Sequence, residues 1–318
     1  MSKAIIRYKD REEWLAARGQ GIGASEVGTV LGLNPFETPY QLWRRKRGMD
    51  APKEENFAMR AGHYLEDAVS RFYADATGCT IIKNTVEDFT VINREKPFLR
   101  VSPDRLYWPQ GARHNEAGKA VLECKTTQLD VDADNLPQHW FCQLQMNMGV
   151  CECRRGALAW LTRGREFGCK DIEFDAEFFA WMSAEVERFW RDNVLGGEEP
   201  PAYTAADVQL KYPAATEGKE VEADARIETI CRELKEVKAE TAELEKRKRE
   251  IEDAVKMAMG DAERLVSPAD GGTPATLATW RTSKGQLRFN EKRFASEHPV
   301  LYASYLTQSP GSRRFIVK

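Results

Sequence analysis

Apolar residues recur at two different spacings along this chain, and the change between them predicts its elements. Within 62–77, Leu65, Val69, Phe72 and Tyr73 fall at i, i+4, i+7 and i+8, the stripe of an amphipathic helix, and Gly78 suits its end. Shorter helices are predicted from Asp10 to Trp14, from Ser25 to Leu31 after the glycine-rich turn Gly19–Gly23, and from Thr38 to Arg47. In the last of these Pro39 fits a first turn and Gly48 a C-cap. Short β-prone runs follow at 79–82, 89–92, 98–101 and 120–126. Pro137 opens a helix to about Val150, strands are predicted near 156–162 and 166–174, and a helix runs from Ala176 to Val194. This order predicts an α/β core ending near Gly196-Gly197.

A different pattern begins at Ile227. Ile230, Leu234, Val237, Leu244, Ile251, Val255 and Ala258 follow 3-4 spacing with charges between them, broken at Thr241 and Lys248. A long amphipathic helix is predicted, packed on its own domain or weakly paired as a coiled coil. After Gly260 and the turn-rich Ser267–Thr273 come a β-prone stretch at 275–281, Phe289 to Leu306, and a basic end at Arg313–Lys318. The organisation expected is a domain over 1–197, a linker over 198–220, and a long-helix and small β appendage over 221–318.

Composition changes this picture little. The 318 residues, 42% of them hydrophobic, suit a soluble protein and exclude no fold class. The longest apolar runs are a few residues and Met1–Arg7 lacks the core of a signal peptide, so a cytoplasmic protein is expected. Seven cysteines without framework spacing fit reduced thiols, and Cys142, Cys151, Cys153 and Cys169 do not reproduce an iron–sulfur grouping. A net charge of -3 does not by itself point to nucleic acid, but Arg and Lys gather at Arg44–Arg47, around Arg154–Arg165 and from Arg281 to Lys318. Taken singly, each cluster reads as a solvated face. Trp140, Trp160, Trp181 and Trp190 read as core.

Candidate chemistry lies between 98 and 127. Pro103-Asp104 follows the apolar run Phe98–Val101, and Glu123-Cys124-Lys125 sits inside Ala120–Thr127. Two carboxylates and a lysine at the ends of short strands are what a Mg²⁺-dependent PD-(D/E)xK nuclease needs. Glu-x-Lys alone says little, since it recurs at Glu217-Gly218-Lys219, Glu233-Leu234-Lys235 and Glu236-Val237-Lys238. Those three lie in a polar turn or on a charged helix, whereas the period of two puts Glu123 and Lys125 on one strand face. Read alone, the set still fits an exposed hairpin with ordinary ion pairs better.

Further motifs shift that balance. Gly21–Val27 with Leu31–Phe36 and Thr38-Pro39 is similar to the opening of YqaJ-like viral recombinases, relatives of lambda exonuclease. Gly62–Glu66 resembles that family's helical glutamate motif, Ser102–Asp104 its aspartate motif, Glu123–Thr127 its Glu-x-Lys strand and Gln143–Gln145 its glutamine motif. The five stand in order over roughly residues 10–195. Two departures, Arg105 where the family often has glycine and Cys124 where it is more often apolar, remove no ligand.

The resemblance implies a PD-(D/E)xK restriction-endonuclease-like α/β core, a mixed central sheet flanked by helices. It implies that Asp104 and Glu123, with the Cys124 carbonyl, ligate Mg²⁺, for which Mn²⁺ substitutes, and that Glu66 reaches a second metal or its waters. Lys125 would orient or deprotonate the attacking water, and Gln143, or else Gln145, would position it. In the family an arginine seven residues before the Ala-Ser serine contacts a DNA 5′-phosphate, and Arg18 and Ser25 keep that spacing; Ser25 also fits a plain N-cap. The implied activity is 5′→3′ exonuclease digestion of linear double-stranded DNA to expose strands for recombination, with a single-strand annealing protein as partner and a homo-oligomer as one assembly. A structure-specific or restriction-like endonuclease, or a DNA-binding scaffold built around 227–258, are the alternative readings.

Overall fold

The computed structural model describes residues 3–50, 56–82, 89–268, 274–308, 311 and 313–318, and the chain divides into two units, Met1–Lys211 and Tyr212–Lys318. Along the first run Lys3–Arg7 (β1), Arg11–Arg18 (α1), Ile22–Gly23 (β2), Ala24–Val30 (α2), Pro39–Lys46 (α3), Phe57–Thr77 (α4), Thr80–Ile82 (β3), Phe89–Asn93 (β4), Leu99–Val101 (β5) and Arg105–Trp108 (β6). Ala120–Thr127 (β7), Gln138–Cys151 (α5), Arg155–Thr162 (β8), Glu166–Glu173 (β9), Ala176–Arg188 (α6) and Ala205–Lys211 (α7) complete it.

Five strands form a mixed sheet in the order β3-β6-β7-β8-β9, antiparallel except for the parallel β7–β8 pair. A parallel pair needs a long crossover, and α5 supplies it. The second sheet, β1-β4-β5-β2, is antiparallel except at β2–β5.

Alternation along β7 decides which side chains meet which helix. Ala120, Leu122 and Cys124 join Ala157, Ala159 and Leu161 of β8 in a core closed by Val69 and Tyr73 of α4. Val121, with Leu158 and Trp160, points the other way, into a core with Val27, Leu42, Leu144, Met148 and Val186. Glu123 and Lys125 share the parity of Val121 and so face α5. Eight consecutive residues of α5, Leu144 to Cys151, are buried, as expected of a helix enclosed on all sides. Close approach between α2 and α5 depends on Gly28, where a Cβ would stand 2.6 Å from that of His139.

Several expectations change. α4 begins at Phe57, five residues before the stripe that predicted it, because the Asn56 side chain accepts the Met59 N–H at 2.9 Å. The predicted 176–194 helix is α-helical only to Arg188 and closes in a wider turn over Phe189–Leu195. β1, β2 and β6 were not anticipated. Ile5 and Ile6 are adjacent and both exposed, so β1 lacks the alternation that marks a strand. Inside the stretch expected as linker, α7 forms around buried Asp207, which accepts from Thr38 Oγ1 at 2.8 Å and Gln41 Nε2 at 3.0 Å. Trp181 is half exposed rather than core.

The largest correction concerns Arg44–Arg47, which is not a solvated face. Arg44 pairs with Asp50, Arg45 with Glu26 and Glu37, and Arg47 donates to the Val194 carbonyl. The Lys46 side chain is 2% exposed and pairs with Glu26. All seven cysteines are free thiols.

In the second unit, Ala225–Met259 (α8) is a 35-residue helix capped by Asp224. Arg264–Val266 (β10) pairs antiparallel with Thr276–Thr279 (β11), and Glu291–Glu297 (α9) and Pro299–Ser304 (α10) follow. Ile230, Val237, Leu244 and Ile251 of the α8 stripe are exposed. Most of the turn predicted at Ser267–Thr273 lies outside the described residues.

Candidate active site

Asp104 stands at the head of β6, and its Oδ2 accepts the Cys124 backbone N–H at 2.7 Å, which brings its carboxylate beside the middle of β7. Glu123, one residue earlier on β7, is 1% exposed. Its Oε1 accepts from Lys125 Nζ at 2.8 Å and from Gln143 Nε2, and its Oε2 accepts from Asn147 Nδ2 at 2.8 Å. Lys125 Nζ also donates to Gln143 Oε1 at 2.9 Å. Gln143 and Asn147, four residues apart on α5, share the helix face turned to β7. Gln145 is turned away, donating to the Glu173 carbonyl and accepting the Asp175 N–H, so Gln143 is the glutamine at this cluster.

Charge in this cluster is unbalanced. Burial, and then the neighbouring Asp104 carboxylate, push Glu123 up to about 8. Burial opposes the charge on Lys125, yet Glu123 and Asp104 more than offset it and hold its pKa above the usual lysine range. The Cys124 thiol is pushed well up by burial and by the carboxylates of Asp104, Glu123 and Glu66. Glu66 reaches the cluster from α4, where His63 Nδ1 lies 3.0 Å from its Oε1.

A cavity of about 270 Å³ gathers all eight residues singled out in the sequence: Arg18, Ser25, Glu66, Asp104, Glu123, Cys124, Lys125 and Gln143. Arg18 closes α1, with Nη2 3.5 Å from Ser25 Oγ and its guanidinium 4.9 Å from the centre of the Trp14 ring. Ser25 is not the N-cap of α2; Gly23 is, which leaves the hydroxyl facing the cavity. Arg105 points instead toward Asp67, 3.8 Å away, and is largely buried.

Sequence reading missed Trp14 and Arg100 on the cavity wall, and Asn147 behind Glu123. The i, i+4 spacings of Trp14 to Arg18 and of Gln143 to Asn147 were the available signals.

Among the described residues no three acidic, histidine or cysteine side chains stand close enough to chelate one ion. The donors at hand are the Asp104 and Glu123 carboxylates and the Cys124 carbonyl. They fit a hard divalent cation that keeps several of its waters, and such an ion offsets the burial and the Asp104 charge that favour the protonated form of Glu123.

An aspartate at a strand head, Glu-x-Lys on the next strand and a glutamine from the crossover helix, meeting on a mixed sheet, are the arrangement of a PD-(D/E)xK fold. Residues 13–154 match the YqaJ-like viral recombinase domain. It is similar to the uncharacterized protein YqaJ of Bacillus subtilis (strain 168), 29% identical over 320 residues, covering 97% of this chain and 94% of the relative. Two solved structures are also similar. One is an alkaline exonuclease from Laribacter hongkongensis (20% identity, 57% of this chain and 91% of the other, TM-score 0.43). The other is a phage related exonuclease from Haemophilus somnus 129PT (12% identity, 56% and 96%, TM-score 0.40).

Proposed function

We propose that this protein is a divalent-metal-dependent 5′→3′ exonuclease that degrades linear double-stranded DNA and exposes single strands for recombination. The observation that carries this reading is that one cavity joins the Asp104, Glu123, Lys125 and Gln143 cluster to the Arg18 and Ser25 pair. Asp104, Glu123 and the Cys124 carbonyl would hold Mg²⁺ or Mn²⁺, with Glu66 reaching its waters. When bound, the ion supplies positive charge beside the scissile phosphate and acidifies water.

The chain's own groups do the rest. Lys125, held by Glu123 Oε1 at 2.8 Å, would orient or deprotonate the attacking water and offset phosphate charge. Gln143 Oε1 also accepts from Lys125 Nζ, at 2.9 Å. Arg18 offers a fork of donors to a terminal phosphate, with the Ser25 hydroxyl beside it and Trp14 fixing the guanidinium plane. Binding a phosphate there tethers a strand end next to the hydrolytic cluster, which favours stepwise digestion over internal cutting. A single-strand annealing protein is the partner this activity calls for, and a closed homo-oligomer would keep the enzyme on its strand. No helix among the described residues is long and apolar enough to cross a membrane.

The test is digestion of end-labelled linear duplexes and closed circular DNA, with Mg²⁺, Mn²⁺ or chelator, by wild type and Lys125→Ala. Metal-dependent loss from 5′ ends, absent on circles and in the variant, is expected. Cutting of circles supports the endonuclease reading, and binding without metal-dependent cutting supports the scaffold.

A further inference from the structure

We infer that Lys46 and Glu26 are positioning residues for the strand-end pocket: buried behind it, they hold the backbone that presents Arg18 and Ser25. This rests on the reading of Arg18 and Ser25 as the phosphate-binding pair.

Arg18 is the last residue of α1, where backbone carbonyls run out of intrahelical partners. Cationic side chains take them up. Arg100 Nη1 donates to the Ala17 carbonyl at 3.1 Å, and Lys46 Nζ donates to the carbonyls of Arg18 at 2.8 Å and Gly21 at 2.6 Å. The third donor of the Lys46 ammonium goes to Glu26 Oε2 at 2.7 Å, so its hydrogen bonding is complete. The same Glu26 oxygen accepts the Gly23 N–H at 2.8 Å, at the N-cap of α2 and two residues before Ser25. Glu26 Oε1 is held by Arg45 at 2.9 Å, and Arg45 is held in turn by Glu37. One ion pair thus clamps both ends of the turn between Arg18 and Ser25. That turn has no slack, because a Cβ on Gly21 would lie 2.4 Å from the Phe98 carbonyl oxygen.

Energetics argue that the pair is kept for what it holds. Lys46 is 2% and Glu26 4% exposed, and desolvating two charges consumes most of what their attraction returns. α3 is already anchored by buried Tyr40, Leu42 and Trp43. An apolar side chain at position 46 would fill the same space more cheaply, but would leave the Arg18 and Gly21 carbonyls free to shift.

The experiment compares digestion of 5′-phosphorylated and 5′-hydroxyl duplexes by wild type, Lys46→Met, the double variant Glu26→Gln/Lys46→Met, Lys46→Arg and Arg18→Ala. Arg44→Ala, on the same helix but paired with Asp50, is the control. The double variant removes both charges, so no unpaired ion is left buried. Wild type should prefer the phosphorylated end. Lys46→Met and the double variant should lose that preference by about tenfold to a hundredfold, toward Arg18→Ala, through KM rather than kcat. Lys46→Arg should restore much of it, and Arg44→Ala should keep it. A folded double variant with the wild-type preference overturns the inference, as does failure of both Lys46→Met variants to fold, which makes the pair merely structural. A wild type indifferent to the phosphate overturns the reading of Arg18 and Ser25 itself, and the inference with it.

Discussion

Asn147 donates its side-chain amide to Glu123 Oε2 at 2.8 Å, so the most deeply placed carboxylate of the cavity is held from a helix on one oxygen while Lys125 and Gln143 hold the other. Asn147 is itself fully buried, and its own Oδ1 has no hydrogen-bond partner among the described residues. An amide kept in that state costs on the order of 1–3 kcal/mol, which its bond to Glu123 must justify.

Replacing that amide tests the relationship. Asn147→Leu leaves Glu123 Oε2 buried without a donor, which disfavours the ionised carboxylate. The acid limb of the pH–rate profile should move toward alkaline pH and metal affinity should fall by about 10- to 100-fold. An unmoved acid limb would show that Asn147 does not tune Glu123.

The raised pKa of Glu123 makes stability depend on pH in a defined direction. In the folded, metal-free protein Glu123 holds its proton up to about pH 8, whereas in the unfolded chain it loses it near its ordinary 4.5. Between those values the folded state binds more protons than the unfolded, so stability falls as pH rises through the window. A divalent cation displaces the proton and cancels the trend. Thermal melts in chelator and in Mg²⁺ at both ends of the window should therefore show a cation-induced rise in Tm that is larger at the alkaline end. Equal rises at the two ends would refute this.

Lys125→Ala removes donors to both Glu123 Oε1 and Gln143 Oε1. Single-turnover cleavage should slow by about 10²- to 10⁴-fold, while binding of a DNA end, assigned to Arg18 and Ser25, changes little. Equal losses in binding and rate would instead place Lys125 in the recognition of DNA.

Gly28→Ala pushes α2 off α5, since the new methyl would lie 2.6 Å from His139 Cβ. Stability should drop by about 1–3 kcal/mol in denaturant unfolding. Because α2 carries Ser25, the preference for phosphorylated ends should weaken in the same variant. A denaturation midpoint equal to that of wild type would mean that the two helices part without cost.

Local pattern made much of this legible. The heptad-like stripe in 62–77 announced α4, and alternation across 120–126 announced β7 with Glu123 and Lys125 on a common face. What periodicity cannot report is the partner on the other side. Arg44–Arg47 has the composition of a solvated face, and only the fold brings Glu26, Glu37, Asp50 and the Val194 carbonyl against it. β6 is too short to announce itself and exists because β3 and β7 pair with it on both edges.

By itself, then, the sequence brought forward the candidate residues and their order along the chain, because strand parity and motif spacing are local properties. Tertiary structure decided the rest. It chose Gln143 over Gln145, added Asn147, made Gly23 rather than Ser25 the cap of α2, and set Arg18 and Ser25 on the wall that Asp104 and Glu123 share. Those choices rest on groupings of segments more than a hundred residues apart and on the loss of solvent that raises the pKa of Glu123, and neither is written in any short stretch of chain.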